Sequence, residues 1–187
     1  MKRLVLLALG MFVLSGFAVV QADEEDHATA HVYIVVDPNM AVQPLDPAVD
    51  MGSVQTGEFV GWVPFRIASN TQTIKVRAEA SYLYKGDDPT NSDVDPIPLS
   101  MDPIEIECDN ANPTGGNDAF LEFDASQGDC DGFPSWMTYW KELESSQNNQ
   151  FSQDCLLHVY WDQDDPEKPM GEYSGCVGLW AMIVLPS

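Results

Sequence analysis

Three long stretches of this chain have the apolar patterns of β-strands. The stretches are 57–68, 73–84 and 171–186. Successive side chains of a β-strand point to opposite faces, so the alternation of 73–84 and of the start of 171–186 predicts strands with one buried face. The largely apolar stretch 57–68 predicts a third strand. The last stretch becomes apolar on both faces toward its end, which is typical of a strand in the middle of a sheet. We therefore predict that 171–186 is the central core strand of an all-β domain.

Turn residues separate the first two of these strands. Ser69 and Asn70 favour a reversal there, so we expect 57–68 and 73–84 to form a long antiparallel hairpin. Lys75, Arg77 and Glu79 fall on its polar face, and with Arg66 and Lys85 the cations predict a basic strip. Shorter strands are expected at 97–99, at Ile104–Cys108 and at 119–123. Many short strands separated by turns favour a sandwich over a parallel sheet.

One segment has helical rather than strand spacing. Ser135 is a favourable N-cap for 136–146, where Trp136, Tyr139, Trp140 and Leu143 recur at positions i, i+3, i+4 and i+7. This pattern predicts one short α-helix. Its aromatic side chains would either pack on the sandwich or form a platform for a ligand.

The first 22 residues have the pattern of a secretory signal peptide. Lys2 and Arg3 precede an apolar run, and small residues occupy the cleavage positions before a predicted cut after Ala22. We expect a secreted or cell-surface protein with no stable membrane insertion after cleavage. The predicted organisation is a signal peptide (1–22), an N-terminal strand (23–36) and a β-sandwich domain (37–187).

All four cysteines lie in the second half of the chain, and an exported protein with four cysteines predicts two disulfides. The acidic stretch 162–168 favours a hairpin turn, and folding the chain there places Cys155 opposite Cys176. The expected pairs are therefore Cys155 with Cys176 and Cys108 with Cys130.

The chain is very acidic, with a formal charge of −22 that becomes more negative once Lys2 and Arg3 are removed. A field of this sign disfavours nucleic acid and anionic membranes as partners. Asp-rich loops outside the cell could bind calcium, which takes oxygen ligands, or could be merely solvated. The candidate ligands are Asp87, Asp88, Asp93, Asp95, Asp162, Asp164 and Asp165.

Three common catalytic motifs do not occur in this sequence: there is no Gly-x-Ser-x-Gly elbow, no His-Glu-x-x-His helix and no phosphate loop. Paired carboxylates, as in a glycosidase, are compatible with so acidic a composition but gain no specific support, and an exported hydrolase is the third and least favoured alternative. We predict that the protein is not an enzyme and that it needs no cofactor apart from the calcium considered above.

Several of these features occur together in one group of proteins. A signal peptide, an alternating strand directly after it, antiparallel strands and a closing motif Gly171-x-Tyr173-x-Gly175-x-Val177 resemble secreted bacterial β-sandwich fibre subunits of the pilin-like and spore-coat-U-like group. The resemblance implies an Ig-like or pilin-like sandwich. It also implies that the N-terminal strand of one subunit completes the sheet of the next. The residues that would fill the neighbour are Ala28, Ala30, Val32, Ile34 and Val36.

The expected function is accordingly a structural subunit of an extracellular filament, a fimbrium or pilus, that forms a homopolymer. The alternative is a monomeric secreted module that binds calcium or carbohydrate, with Trp136, Tyr139 and Trp140 as candidate aromatic contacts. A monomer would pair the N-terminal strand within its own sheet, whereas a filament subunit would donate it.

Overall fold

The computed structural model describes residues 33–100, 102–109, 111–113 and 120–184. The chain divides into two units, Met1–Val35 and Val36–Ser187. Of the first unit only residues 33–35 are described, and they lie in no strand. The predicted signal peptide and most of the predicted N-terminal strand therefore fall outside the described residues.

Every regular element among the described residues is a β-strand. These residues include no helix that is long and apolar enough to cross a membrane. The strands are β1 (Met40–Pro44), β2 (Gly57–Ser69), β3 (Thr73–Ser81), β4 (Tyr84–Lys85), β5 (Ile104–Cys108), β6 (Ala111–Pro113), β7 (Phe120–Leu121), β8 (Phe123–Cys130), β9 (Phe133–Thr138), β10 (Lys141–Ser145), β11 (Phe151–Gln163), β12 (Tyr173–Ser174) and β13 (Val177–Ile183).

Two antiparallel sheets form the domain. The first sheet has the order β1-β2-β11-β5-β7. The second has the order β6-β10-β3-β9-β8, and β13 pairs with the other edge of β3. Strands β4 and β12 make a small separate ladder. The predicted all-β, antiparallel, sandwich-like fold is confirmed.

The core contains the apolar faces of both sheets. In the first sheet β11 alternates strictly, with Leu157, Val159 and Trp161 buried and the residues between them partly exposed. In the second sheet the alternating residues of β3 are completely buried. Burial on one face of each strand is the arrangement that period-two alternation predicts.

The predicted hairpin between β2 and β3 is wrong, although both strands exist. β2 pairs with β1 and β11 in the first sheet, whereas β3 pairs with β9, β10 and β13 in the second. Residues 70–72 therefore carry the chain from one sheet to the other. The hydroxyls of Ser69 and Thr71 hydrogen-bond each other at this corner, at 2.9 Å. Two strands with one apolar face each can pair or can face each other across a core, and their periodicity is the same in both cases.

The predicted short helix at 136–146 is also wrong. This segment forms the end of β9 and all of β10, with Tyr139 and Trp140 in the connection between them. The hydroxyl of Thr138 accepts a hydrogen bond from the backbone N–H of Ala78 at 2.9 Å, and Leu143 is buried in the core. Pairing with β3 thus outweighs the local helical spacing.

The stretch 171–186 does not form the central strand that its pattern predicts. It contains short β12 and then β13, which lies at an edge of the second sheet and is only half-buried. Gly175 separates them, and a Cβ atom there would lie 2.5 Å from the carbonyl oxygen of Tyr82. The central strands are instead β11 and β3.

All four cysteines form disulfides, as predicted, but the predicted pairs are wrong. Cys108 bonds to Cys155 and Cys130 bonds to Cys176. Cys108 and Cys155 are directly opposite each other on β5 and β11. The hairpin assumed for Cys155 and Cys176 does not exist, because their strands belong to different sheets.

This pairing predicts the peptides that will be found linked. Proteolysis without reduction should release one disulfide-linked peptide pair containing Cys108 and Cys155 and another containing Cys130 and Cys176. Each bond joins residues 46 or 47 positions apart, so the chain-entropy model gives each a stabilisation of about 4 kcal/mol. Replacing Cys108 and Cys155 together with Ser should lower the free energy of unfolding by that order. Recovery of a peptide linking Cys155 to Cys176 would contradict the structure.

Candidate interaction surface

The outer edge of β13 has no strand partner among the described residues. On its inner edge β13 pairs with β3: the N–H of Ser81 bonds the carbonyl of Cys176 at 2.9 Å, and the N–H of Val184 bonds that of Thr73 at 3.4 Å. Bonded and non-bonded pairs alternate in an antiparallel ladder. The residues that direct their backbone groups away from β3, toward the open edge, are therefore Val177, Leu179, Ala181 and Ile183.

Apolar side chains of β13 are partly exposed beside this open edge. Val177, Leu179 and Ala181 share the inward face with the fully buried residues of β3, but they are only half-buried themselves. Strand β13 therefore presents both an unpaired backbone and partly uncovered apolar side chains.

The last residues before the domain carry exposed aliphatic side chains. Ile34 is 86% exposed and Val36 is 72% exposed, and neither belongs to a strand. Ala28, Ala30 and Val32, the other members of the predicted donor face, lie outside the described residues. Nothing in the structure tests the strand predicted for 23–36, and it stays a prediction.

An arginine between two tryptophans occupies the outer face of the second sheet. The guanidinium of Arg77 lies 4.9 Å from the ring centroid of Trp140 and 5.4 Å from that of Trp180. Trp180 is directly opposite Arg77 in the ladder, whereas Trp140 comes from the turn after β9. Cation–π contacts of this kind contribute roughly 0.5–1 kcal/mol each at exposed sites. We call Trp140, Arg77 and Trp180 the arginine–tryptophan stack.

A buried carboxylate anchors one end of this stack. Glu79 is only 2% exposed, and it accepts hydrogen bonds from the indole N–H of Trp180 at 2.8 Å and from the hydroxyl of Ser135. Gly128 packs directly against this carboxylate, and a larger residue would not fit, because a Cβ there would lie 2.4 Å from an oxygen of Glu79. The alternation of the sequence placed Arg77 and Glu79 on one face correctly. Trp180 was missed, because only the strand register brings it opposite Arg77.

The predicted basic strip does not form. Arg66 belongs to the first sheet and pairs with Asp154 at 2.9 Å, and Lys75 lies 3.9 Å from Glu142. Among the described residues Arg77 has no carboxylate within ion-pair distance. Its guanidinium instead makes cation–π contacts with the indole rings of Trp140 and Trp180.

A shallow pocket lies beside Trp140. Its volume is 360 Å³, and it is lined by Pro103, Phe120, Leu121, Glu122, Tyr139, Trp140 and Lys141. The predicted aromatic trio is thus divided. Tyr139 and Trp140 share the pocket, whereas Trp136 packs against the core and stacks on Tyr82 with 4.2 Å between ring centroids.

The outer face of the first sheet carries a second aromatic group. Trp62 is 58% exposed and stacks on His158, whose Nδ1 lies 3.2 Å from Glu105. Tyr160 is two residues further along the same face. Burial, and then the charges of Glu105, Glu58 and Asp102, raise the pKa of Tyr160 above its usual 10.0. This face is therefore locally acidic.

The Asp-rich loops do not bring their carboxylates together. Among the described residues no group of three or more His, Cys, Asp or Glu side chains is placed to share a metal ion. Asp88 instead accepts hydrogen bonds from Thr90, Asp87 from Ser174 and Asp165 from Glu167. The hydrogen bonds from the hydroxyl and the backbone N–H of Thr90 lower the pKa of Asp88. Calcium binding at Asp87, Asp88, Asp93, Asp95, Asp162, Asp164 and Asp165 stays a prediction that no contact here supports.

The buried carboxylate gives a stability test. Replacing Glu79 with Ala leaves the Ser135 hydroxyl and the Trp180 indole without an acceptor, so the free energy of unfolding should fall by about 1–3 kcal/mol. Glu79→Gln keeps an acceptor oxygen and should cost less. Glu142→Ala, which removes only the loose Lys75 pair, is the matched control and should change stability by less than about 1 kcal/mol. Urea unfolding followed by tryptophan fluorescence measures all three. Equal midpoints for Glu79→Ala and Glu142→Ala would show that the buried network does not stabilise the fold.

The raised pKa of Tyr160 gives a pH test. The native state holds the Tyr160 proton more tightly than the unfolded chain does. The contribution of this proton to the free energy of unfolding is therefore complete below the unfolded pKa, and it is lost as the pH rises through the folded pKa. The free energy of unfolding should therefore fall on the alkaline side of pH 10, and Tyr160→Phe should reduce that fall. Tyr139→Phe, which removes an exposed tyrosine elsewhere, is the control and should leave the fall in place. An alkaline profile unchanged in Tyr160→Phe would contradict this assignment.

No protein-family profile matches the chain, and no curated protein matches it as a relative.

Proposed function

We propose that this protein is an exported structural subunit of an extracellular filament or surface assembly, and that its mechanism is assembly rather than catalysis. Copies would polymerise by β-strand complementation, in which the N-terminal strand of one copy pairs with the open edge of β13 in the next. The donor residues would be Ala28, Ala30, Val32, Ile34 and Val36. The observation that carries the proposal is the edge of β13, unpaired in its backbone and only half-covered in its side chains.

The backbone of β13 supports this mode of binding. Its outward N–H and C=O groups lie in a regular row, which is the template that an added strand requires. The row spans seven residues. The nine residues from Ala28 to Val36 would extend about 30 Å as a strand, which is enough to pair with the whole of β13.

The side chains of β13 also support the addition of a strand. A strand added next to β13 would direct every second residue toward the same inward face. The small and aliphatic residues of the donor set would then lie beside Val177, Leu179 and Ala181, and would cover apolar surface that a single copy leaves half-exposed. Burial contributes roughly 25 cal/mol for each Å² of apolar surface removed from water.

Charge should affect the rate of assembly more than its strength. Copies of so acidic a chain repel one another, and this repulsion is screened by salt. Arg77 and Lys75 lie on β3, directly beside β13. The acidic residues Asp23, Glu24, Glu25 and Asp26 precede the donor strand, so they would approach these two cations and steer docking.

Proline substitution tests the open edge directly. Ala181→Pro removes an N–H that points away from β3, so the monomer should still fold while addition of a strand is blocked. Ala181→Ser keeps the N–H at the same position and is the matched control. We expect filaments or large assemblies from concentrated parent protein and from Ala181→Ser, and none from Ala181→Pro, by electron microscopy and sedimentation. Equal melting temperatures of the two variants would exclude misfolding as the cause.

A second pair of matched variants tests the donor strand. Ile34→Asp would place a carboxylate on the face that enters the neighbour, and an unpaired buried charge costs several kcal/mol, so assembly should be lost. Val35→Asp changes the neighbouring residue on the opposite face and should reduce assembly much less. Normal assembly by Ile34→Asp, or by a chain that lacks 23–36, would rule out strand donation.

A further inference from the structure

The pocket beside Trp140 has features that strand complementation does not use. Three aromatic side chains at the pocket are partly exposed: Phe120 by 46%, Tyr139 by 59% and Trp140 by 40%. Leu121 is buried and contributes to the same lining. Clusters of exposed aromatic residues in a depression usually mark a binding site.

The ring of Trp140 and the turn that carries it are held in place before any ligand binds. Arg77 covers one face of Trp140, so a ligand can stack only on the other face. Arg77 is itself held by Trp180, whose indole is bonded to the buried Glu79. The backbone N–H of Tyr139 bonds the carbonyl of Glu122 at 2.8 Å, which ties the turn to the strand connection opposite. Binding would therefore cost little ordering of the site.

The polar groups at the pocket suit hydroxyl groups better than charges. Glu122 supplies a carboxylate, Lys141 an ammonium group and Tyr139 a phenol, so the pocket offers both donors and acceptors. The charges of Glu122 and Lys141 cancel. The strongly negative chain repels anionic ligands over a longer range. A neutral ligand with many hydroxyl groups is favoured.

Sugar rings combine the required chemistry in one molecule. A pyranose ring with equatorial hydroxyl groups presents an apolar C–H face that packs on an aromatic ring, and a rim of hydroxyl groups that hydrogen-bond. The pocket volume lies within the range of small-ligand sites. The strand edge at the pocket is that of β7, which is only two residues long, and this disfavours an added peptide strand here.

We infer that this pocket binds a neutral saccharide, with a pyranose ring stacked on Trp140 and Tyr139 and its hydroxyl groups bonded to Glu122 and Lys141. This site is separate from the open edge of β13. A subunit that used both sites would assemble through the edge of β13 and attach to a glycan through the pocket. The two proposals are independent, so disproof of one leaves the other standing.

The test uses the exported chain and three soluble probes: hexasaccharides of β-linked glucose, xylose and N-acetylglucosamine. Binding is followed by tryptophan fluorescence and by calorimetry up to millimolar concentration. At least one probe should bind, and Trp140→Ala should weaken its binding by about tenfold or more. Tyr139→Ala should weaken binding in the same direction.

Trp62→Ala is the matched control, because it removes an even more exposed tryptophan from the outer face of the other sheet. It should leave saccharide binding unchanged. Since Tyr139 is well exposed, Tyr139→Ala keeps the test valid if Trp140→Ala fails to fold.

Three results would overturn the inference. Absence of binding by all three probes is one, and equal affinity in the parent, Tyr139→Ala and Trp140→Ala is another. The third is a change in sedimentation of Trp140→Ala without any saccharide effect, which would assign the surface to a second copy of the chain. The assembly test with Ala181→Pro is independent, because that variant should still bind the saccharide.

Discussion

The ladder between β2 and β11 is the constraint on which the rest of the domain depends. The two strands pair along thirteen residues each, and they place one continuous apolar face against the second sheet. Neither strand is stable alone, since its buried face needs a partner layer. The disulfide from Cys155 to Cys108 attaches β5 to the same ladder. Loss of packing at Leu157 or Trp161 would therefore disturb both sheets.

The second sheet depends on β3 in a similar way, but β3 also connects the core to the surface. Its inward residues are fully buried, whereas Glu79 on its outward face bonds Ser135 and Trp180. Ser81 at its end receives the indole N–H of Trp161 on its carbonyl, at 3.0 Å, and the backbone N–H of Cys176 on its hydroxyl, at 2.8 Å. One strand thus fixes the core, the open strand β13 and the arginine–tryptophan stack together. A change in the core can consequently alter the surface.

The open edge and the aromatic pocket follow different physical rules. An edge binds through backbone groups, so its occupant needs an extended chain with suitable alternation and little else. A pocket binds through fixed side chains, so its occupant is selected by shape and by hydrogen-bonding groups. The acidity of the chain acts on both, because it disfavours anionic partners and makes association dependent on salt. The open edge belongs to the second sheet, whereas the pocket lies between the turn after β9 and strand β7 of the first sheet.

By itself, the sequence determined several of the local elements of this protein. The alternation of 73–84 predicted β3, and the apolar stretches 57–68 and Ile104–Cys108 predicted β2 and β5, because a buried face is a property of each strand alone. It also predicted the two disulfides and the outward face that carries Arg77 and Glu79. Only the tertiary structure decided which strands pair: β2 and β3 separate into different sheets, β13 lies at an edge, and Cys108 bonds Cys155. The aromatic residues at 136–143 show the same limit, since their helical spacing was outweighed by pairing with β3. Periodicity records that a face is buried but not what buries it, and strand pairing joins residues far apart in the chain, so register and edges depend on the whole fold.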